Sequence, residues 1–173
     1  MMVPMTDEQG KAPGDSAVET RYLVMPQQAN PQGTVFGGAI VSWIDMTAAM
    51  AAQRHCGREV VTAGIDSLVF RQPIQIGDHV ILRAAVNYVS RSSMEVGVQV
   101  IREDPYSGRQ ILATTAHLVL VALDECKQPV TVRPLVPGTD DEKRRYESAR
   151  LRMQDRKNRL RVLEESGENE LKT

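Results

Sequence analysis

Asn30-Pro31-Gln32-Gly33-Thr34-Val35-Phe36-Gly37-Gly38-Ala39-Ile40-Val41-Ser42-Trp43-Ile44-Asp45-Met46-Thr47-Ala48-Ala49-Met50-Ala51-Ala52-Gln53-Arg54 is a glycine-bearing turn that opens into a long apolar helix. The pattern predicts that helix from about Phe36 to Arg54. Apolar residues fall on every side of it, and a helix apolar all round is a buried helix. One carboxylate, Asp45, sits in its middle, where an unpartnered charge is costly. Gly37 and Gly38 fall at the helix N-terminus, where the first backbone N–H groups have no partner within the helix and the dipole is positive. Without a side chain in the way, a ligand oxygen can approach those N–H groups closely. The stretch is therefore a candidate oxyanion hole with a carboxylate about two turns further along. It reads equally as a tight turn before a core helix that tolerates one aspartate, and spacing alone does not choose.

Working outward, Thr20 to Met25 reads as a short strand stopped by Pro26, and Cys56-Gly57 ends the helix with Gly57 as C-cap. A β-rich part follows. Glu59 to Phe70 is a strand with Gly64 as a bulge position, and Pro73 and Gly77-Asp78 mark a turn. His79 to Val89 and Met94 to Ile101 alternate, with Arg91-Ser92-Ser93 between them. Pro105-Tyr106-Ser107-Gly108 turns into a long strand from Gln110 to Leu123. Hairpin-length links imply antiparallel pairing. One long helix against such a sheet is an α+β layer architecture, here with five to six antiparallel strands wrapped around the central helix.

The bulk properties narrow the function. A chain of 173 residues holds one sizeable core plus tails. A net charge of −1 supplies no global field for nucleic acid or a membrane surface. No apolar run approaches a membrane span, and the N-terminus lacks the pattern of a signal peptide. Cys56 and Cys126 make no CxxC pair and suggest no disulfide framework, which fits a reducing, cytoplasmic setting.

Residues 1–18, with four Pro and Gly positions among charges, read as a disordered tail. Residues 19–125 form the folded domain and 126–138 a Pro-rich linker. Residues 139–165 form a charged helix, opened by a Thr139/Glu142 capping box, and 166–173 a frayed end. Tyr146, Ala149, Met153, Leu160 and Leu163 fall at heptad-like spacing, but Arg156 interrupts that seam. The basic centre of this helix either packs as a solvated face on its own domain or a neighbouring subunit, or contacts phosphate.

The run from Asn30, then V-T-A-G-I-D-S-L-V-F-R-Q-P-I-Q-I-G-D from Val61, then Y-V-S-R-S-S-M-E-V from Tyr88, resembles the hotdog-fold acyl-CoA thioesterases. The similarity is to the bacterial YciA-like enzymes and the BACH-type cytosolic acyl-CoA hydrolases, over about Thr20 to Leu123. It implies an enzyme that hydrolyses acyl-CoA to free acid and CoA. It implies a homodimer with shared active sites, assembled into a trimer of dimers, and no cofactor beyond the coenzyme A of the substrate itself. By the same resemblance, Asp45 is the catalytic carboxylate, as general base on water or as a nucleophile forming an anhydride. Asn30 is the loop asparagine, supplied by the partner subunit, that helps position water or substrate. Gly38, and second Gly37, donates an N–H to the thioester carbonyl. Thr62 lies near the site on the second strand, and Arg91, Ser92 and Ser93 contact the pantetheine and phosphate portions of coenzyme A.

Taken without the resemblance, Asn30 before Pro31 is an ordinary turn residue and Arg91-Ser92-Ser93 a solvated hairpin turn. Asp66 and Asp78 read as structural. His55, His79 and His117 are scattered without metal-ligand spacing. No G-x-S-x-G elbow is present, which argues against a Ser-His-Asp hydrolase. A thioester does not need one, because thiolate leaves well and a positioned carboxylate with N–H donors suffices. A hotdog protein that binds acyl-CoA as a sensor without cleaving it is the alternative.

Overall fold

A computed structural model describes residues 10–166 of the chain. Five strands, β1 (Val18–Leu23), β2 (Glu59–Leu68), β3 (His79–Val89), β4 (Ser93–Glu103) and β5 (Gln110–Leu123), form one sheet in the order β1-β3-β4-β5-β2. Every neighbouring pair is antiparallel. The long helix α2 (Gly37–Cys56) lies across one face of this sheet, giving the α+β hotdog arrangement that the sequence implies. Strand alternation builds the core: Met94, Val96, Val98 and Val100 are fully buried towards α2, while Glu95, Gly97 and Gln99 take the opposite face. Ring stacking of Tyr22 on Trp43, centroids 4.6 Å apart, ties β1 to the helix. Gly57 ends α2 in the left-handed conformation (φ 65°), its N–H bonded to the Gln53 carbonyl.

Burial of α2 differs from expectation. Ile40, Trp43, Ile44, Thr47, Ala48, Ala51 and Ala52 are buried, but Gly38, Ser42, Met46 and Met50 form an exposed stripe at four-residue spacing. Met46 is 44% exposed and Met50 39%. One sheet covers one side of a helix, so a single chain leaves the other side open. On the edge strand and just beyond it, Val61, Ile65, Val69 and Phe70 are exposed as well.

The N-terminal expectation is also corrected where it can be followed. Residues 1–9 lie outside the described part, but residues 10–18 are ordered. Lys11 pairs with the segment 134–136 through both its N–H and its carbonyl. A helical turn, α1 (Pro13–Ser16), follows, and buried Ser16 accepts a hydrogen bond from Val86 N–H. Backbone pairing and one buried hydroxyl hold this segment, and neither leaves an apolar period to read. Residues 126–138 are likewise packed along the domain, with Val132 and Leu135 buried and Val132 N–H on the Arg91 carbonyl.

Helix α3 (Asp140–Ser166) opens with the expected box: Glu142 N–H donates to Thr139 Oγ1, and Thr139 N–H donates to the Glu142 carboxylate. It covers the sheet face opposite α2. Ala149 and Met153 are buried there, and Tyr146 meets Tyr88 edge-on. Arg152 forks onto buried Glu95 at 3.0 and 2.6 Å. Arg156, the residue that breaks the heptad pattern, turns towards Asp66 of β2 with Arg159. The helix thus packs on its own domain, and three of its arginines are held by the sheet. Residues 167–173 lie outside the described part.

Candidate active site

Helix α2 and the edge strand β2 bring two of the sequence-selected residues together. Thr62 Oγ1 donates to Asp45 Oδ1 at 2.6 Å. Asp45 is half-buried, and Oδ2 has no hydrogen-bond partner among the described residues. The carboxylate is therefore oriented through one oxygen and open at the other. Two departures from regular pairing shape the strand beside it. Thr62 pairs with Leu120, yet Gly64 pairs with Val119, so Ala63 is an extra residue. Asp66 is a second extra residue, between Ile65 and Ser67.

At the N-terminus of α2, the N–H groups of Ala39 and Ile40 reach the Phe36 carbonyl. Those of Gly37 and Gly38 find no partner among the described residues, as the first turn of a helix requires unless a ligand or cap supplies one. The Phe36 ring lies over Gly38, where an added Cβ would come within 2.3 Å of it. A cavity of about 340 Å³ opens at this end of the helix, lined by Gly37, Ile40, Phe70 and Ile74 among others. Gly37 and Asp45 sit eight residues apart on one helix, about 12 Å along its axis.

Asn30 is committed locally in this chain. Its Oδ1 accepts from the N–H groups of Gln32 and Thr34, and its Nδ2 meets the Thr34 hydroxyl. It shapes the loop that leads into Phe36 and makes no contact with Asp45 among the described residues. The Arg91-Ser92-Ser93 turn lies at the end of the sheet that holds Thr62, since Ser93 pairs with Val121 and Val121 with Val61. Arg91 is exposed there.

None of the remaining titratable candidates shares a side-chain hydrogen bond with Asp45 or Thr62 among the described residues. Asp78 receives Arg102 at 2.6 Å and Gln75 N–H. His79 meets Glu103 at 3.3 Å. His55 is buried, with Nε2 on the Arg133 carbonyl, and burial holds its ring below the ordinary histidine range. Burial first, and Arg152 second, does the same to His117. Among the described residues no helix is long and apolar enough to cross a membrane. What sequence reading missed is the network from α3 to the sheet. Glu95 shares the outer face of β4 with Gly97 and Gln99, so it reads as ordinary strand alternation and carries no local sign of the arginine that meets it.

The family model of the thioesterase superfamily matches residues 32–108. The uncharacterized acyl-CoA thioester hydrolase YkhA of Bacillus subtilis is 44% identical over 147 residues, 85% of this chain and 86% of that protein. An acyl-CoA hydrolase from Staphylococcus aureus, solved with butyryl coenzyme A, coenzyme A and coenzyme A disulfide, superposes with a TM-score of 0.86 at 37% identity, covering 92% of this chain and 98% of that one. Solved variants of that protein replace one aspartate, one threonine and one asparagine by alanine. Those three residues fall in the same order and at the same spacings as Asn30, Asp45 and Thr62 here. A hexameric acyl-CoA thioesterase superposes with a TM-score of 0.84 at 38% identity, covering 88% of this chain and 97% of that one.

Proposed function

We propose that this chain, which belongs to the thioesterase superfamily and is an acyl-CoA thioester hydrolase, cleaves its substrate with Asp45 as the reacting carboxylate in a site shared between two copies. The observation that carries this reading is the Thr62–Asp45 hydrogen bond, 2.6 Å long, which leaves the other carboxylate oxygen without a partner among the described residues, beside exposed apolar surface. In the base route, Asp45 Oδ2 takes a proton from water as the water oxygen bonds to the thioester carbon. The N–H groups of Gly38 and Gly37 stabilise the oxyanion. The C–S bond then breaks, and the thiolate of coenzyme A leaves and is protonated. In the nucleophilic route, Oδ2 itself bonds to the carbonyl carbon, the C–S bond breaks and the thiolate of coenzyme A leaves, and water then opens the anhydride to free acid and the restored Asp45 carboxylate. Single turnover in ¹⁸O-water separates the routes, because only the anhydride route can leave label in Asp45.

Distance argues for the shared site. The helix N-terminus and Asp45 of one chain lie about 12 Å apart, too far for both to act on one carbonyl. A second copy laid against the open stripe of α2 brings its own Gly38 to the first copy's Asp45, and covers Met46 and Met50. Homodimers of this kind, grouped as a trimer of dimers, would hold six copies, the number in the hexameric relative. Asn30 shapes the substrate loop, and Arg91, Ser92 and Ser93 meet the pantetheine and phosphate portions of the ligand. Cys56 and Cys126 are both free thiols, in keeping with a cytoplasmic protein.

The test is release of coenzyme A, read with a thiol reagent, across short, medium and long acyl-CoAs for the wild type and Asp45→Ala. Turnover that collapses in the variant supports the reading and gives the chain-length preference. Equal turnover in both removes Asp45 from the chemistry.

A further inference from the structure

We infer that Arg156, on the C-terminal helix, is a positioning residue for the Thr62–Asp45 pair. It pins the bulge that sets where on the edge strand Thr62 meets Asp45. The inference rests on the assignment of Asp45 and Thr62 to the reaction.

Three independent features converge on the guanidinium. Its Nη2 donates to the carbonyl of Ala63, the extra residue immediately after Thr62, at 3.1 Å. Its Nη1 lies 3.5 Å from Asp66, the second extra residue, which Arg159 also reaches at 3.0 Å. Between the two bulges, Gly64 has no side chain where one would collide: an added Cβ would sit 2.4 Å from Arg156 Nη2. The Gly64 backbone is not in the left-handed region, so the glycine is there for space and not for φ. Arg156 and Asp66 keep only 20% and 11% of their side-chain surfaces exposed.

The position of a bulge matters because side chains alternate across a strand. A shift of one residue turns every following or preceding side chain to the other face. β2 is an edge strand in this chain, paired only with β5, and that ladder is interrupted at both extra residues. Moving the extra residue from Ala63 to the position before it would turn the Thr62 hydroxyl away from α2. Arg156 fixes the carbonyl of the bulge from outside the sheet while Thr62 meets Asp45 on the inside. Helix α3, about ninety residues further along the chain, thereby acts on the reacting carboxylate without touching substrate.

A double-mutant cycle tests this against a role in stability alone. Arg156→Met and Gly64→Ala, each alone and each combined with Thr62→Val, are assayed for kcat and KM on one acyl-CoA, with oligomer mass and thermal midpoint recorded beside them. Each single change is expected to lower kcat about 10- to 100-fold, as misplacement of a reacting group does, with KM nearly unchanged. In the Thr62→Val background neither change should lower kcat by more than about 2-fold, because residues in one network are not additive. Arg156→Lys, a single-point donor, should recover only part of the loss. Losses that multiply in the double variants, or a wild-type kcat in Arg156→Met, overturn the inference. Should Arg156→Met fail to assemble, Gly64→Ala carries the same cycle with α3 intact. A fully active Asp45→Ala would instead sink the underlying assignment, an outcome distinct from a dead Asp45→Ala beside an unaffected Arg156→Met.

Discussion

The hydroxyl of Thr62 on the edge strand donates a 2.6 Å hydrogen bond to Oδ1 of Asp45, in the middle of the central helix. A carboxylate fixed by one hydrogen bond presents its other oxygen in a defined direction, and this is what a base or nucleophile needs.

Asp45→Asn should lower kcat by about 10²- to 10⁴-fold, the range for a positioned acid–base group. The fold should survive, because the amide oxygen still accepts from Thr62. Thr62→Val should cost less, about 10- to 100-fold, corresponding to one hydrogen bond to a charged group. Steady-state kinetics with circular dichroism as the control measures both. A larger loss in Thr62→Val than in Asp45→Asn would contradict the order of roles.

Arg152 and Glu95 supply a stability prediction separate from catalysis. Glu95 is 1% exposed and receives both guanidinium bonds. Arg152→Met leaves a buried carboxylate without its counter-charge and should destabilise the fold by about 3 kcal/mol. Arg152→Met combined with Glu95→Leu should recover most of that loss, since an apolar pair removes the desolvated charge altogether. Urea midpoints at fixed protein concentration compare them. Equal midpoints for wild type and Arg152→Met would show the pair to be energetically idle.

Two histidines predict a pH dependence. Burial lowers the pKa of both His55 and His117 in the folded chain. The unfolded chain therefore binds protons first as pH falls, and stability drops wherever the unfolded state holds more protons. The contribution is complete above about pH 6.5, the ordinary histidine value, and is lost as pH falls below it towards the folded values. Glu19, Glu103 and Asp141 are shifted below the ordinary carboxylate range, so their contributions are lost only in the more acidic window beneath about pH 4.5. Unfolding midpoints taken from pH 7.5 to 5.0 should decline, and the decline should flatten in His55→Gln and His117→Gln. A flat wild-type profile would contradict the assignment.

Much of the fold was legible because it is written in periods. The alternation of Met94, Val96, Val98 and Val100 locates a strand and its buried face, and Gly57 marks the end of α2 at its true position. Thr139 and Glu142 likewise announce the start of α3. The Thr62–Asp45 contact is another matter. It joins residues 17 apart through an irregular strand, and the extra residue is Ala63 rather than the neighbouring Gly64. Gly64 was visible as an oddity, but its cause, the guanidinium of Arg156, lies more than ninety residues away and has no local signature. The order of residues 10–18 was hidden for a similar reason, since backbone pairing with 134–136 depends on no side-chain pattern. The open stripe of α2 misled in the opposite sense. Composition reports that a face is apolar and does not say whether its cover comes from the same chain.

The apolar stripe left open on α2 gives a test of where the active site is assembled. Asp45→Asn removes the carboxylate, and Gly38→Ala places a methyl group against the Phe36 ring at the N-terminus of α2. Each homo-oligomer should be nearly inactive. If Gly38 of one copy serves Asp45 of the other, a mixed dimer holds one site with both defects and one site with neither. Co-expression in equal amounts yields mixed dimers as about half the population, each with one intact site of two. Activity should then return to about a quarter of the wild-type value per subunit. If each site were built within one chain, every site in the mixture would carry a defect and no activity would return. Tagging the two variants differently and isolating the mixed species sharpens the reading, since it should then reach about half of wild type. Recovery in that sample, with the homo-oligomers inactive beside it, is explained by a shared site and by no arrangement confined to one chain.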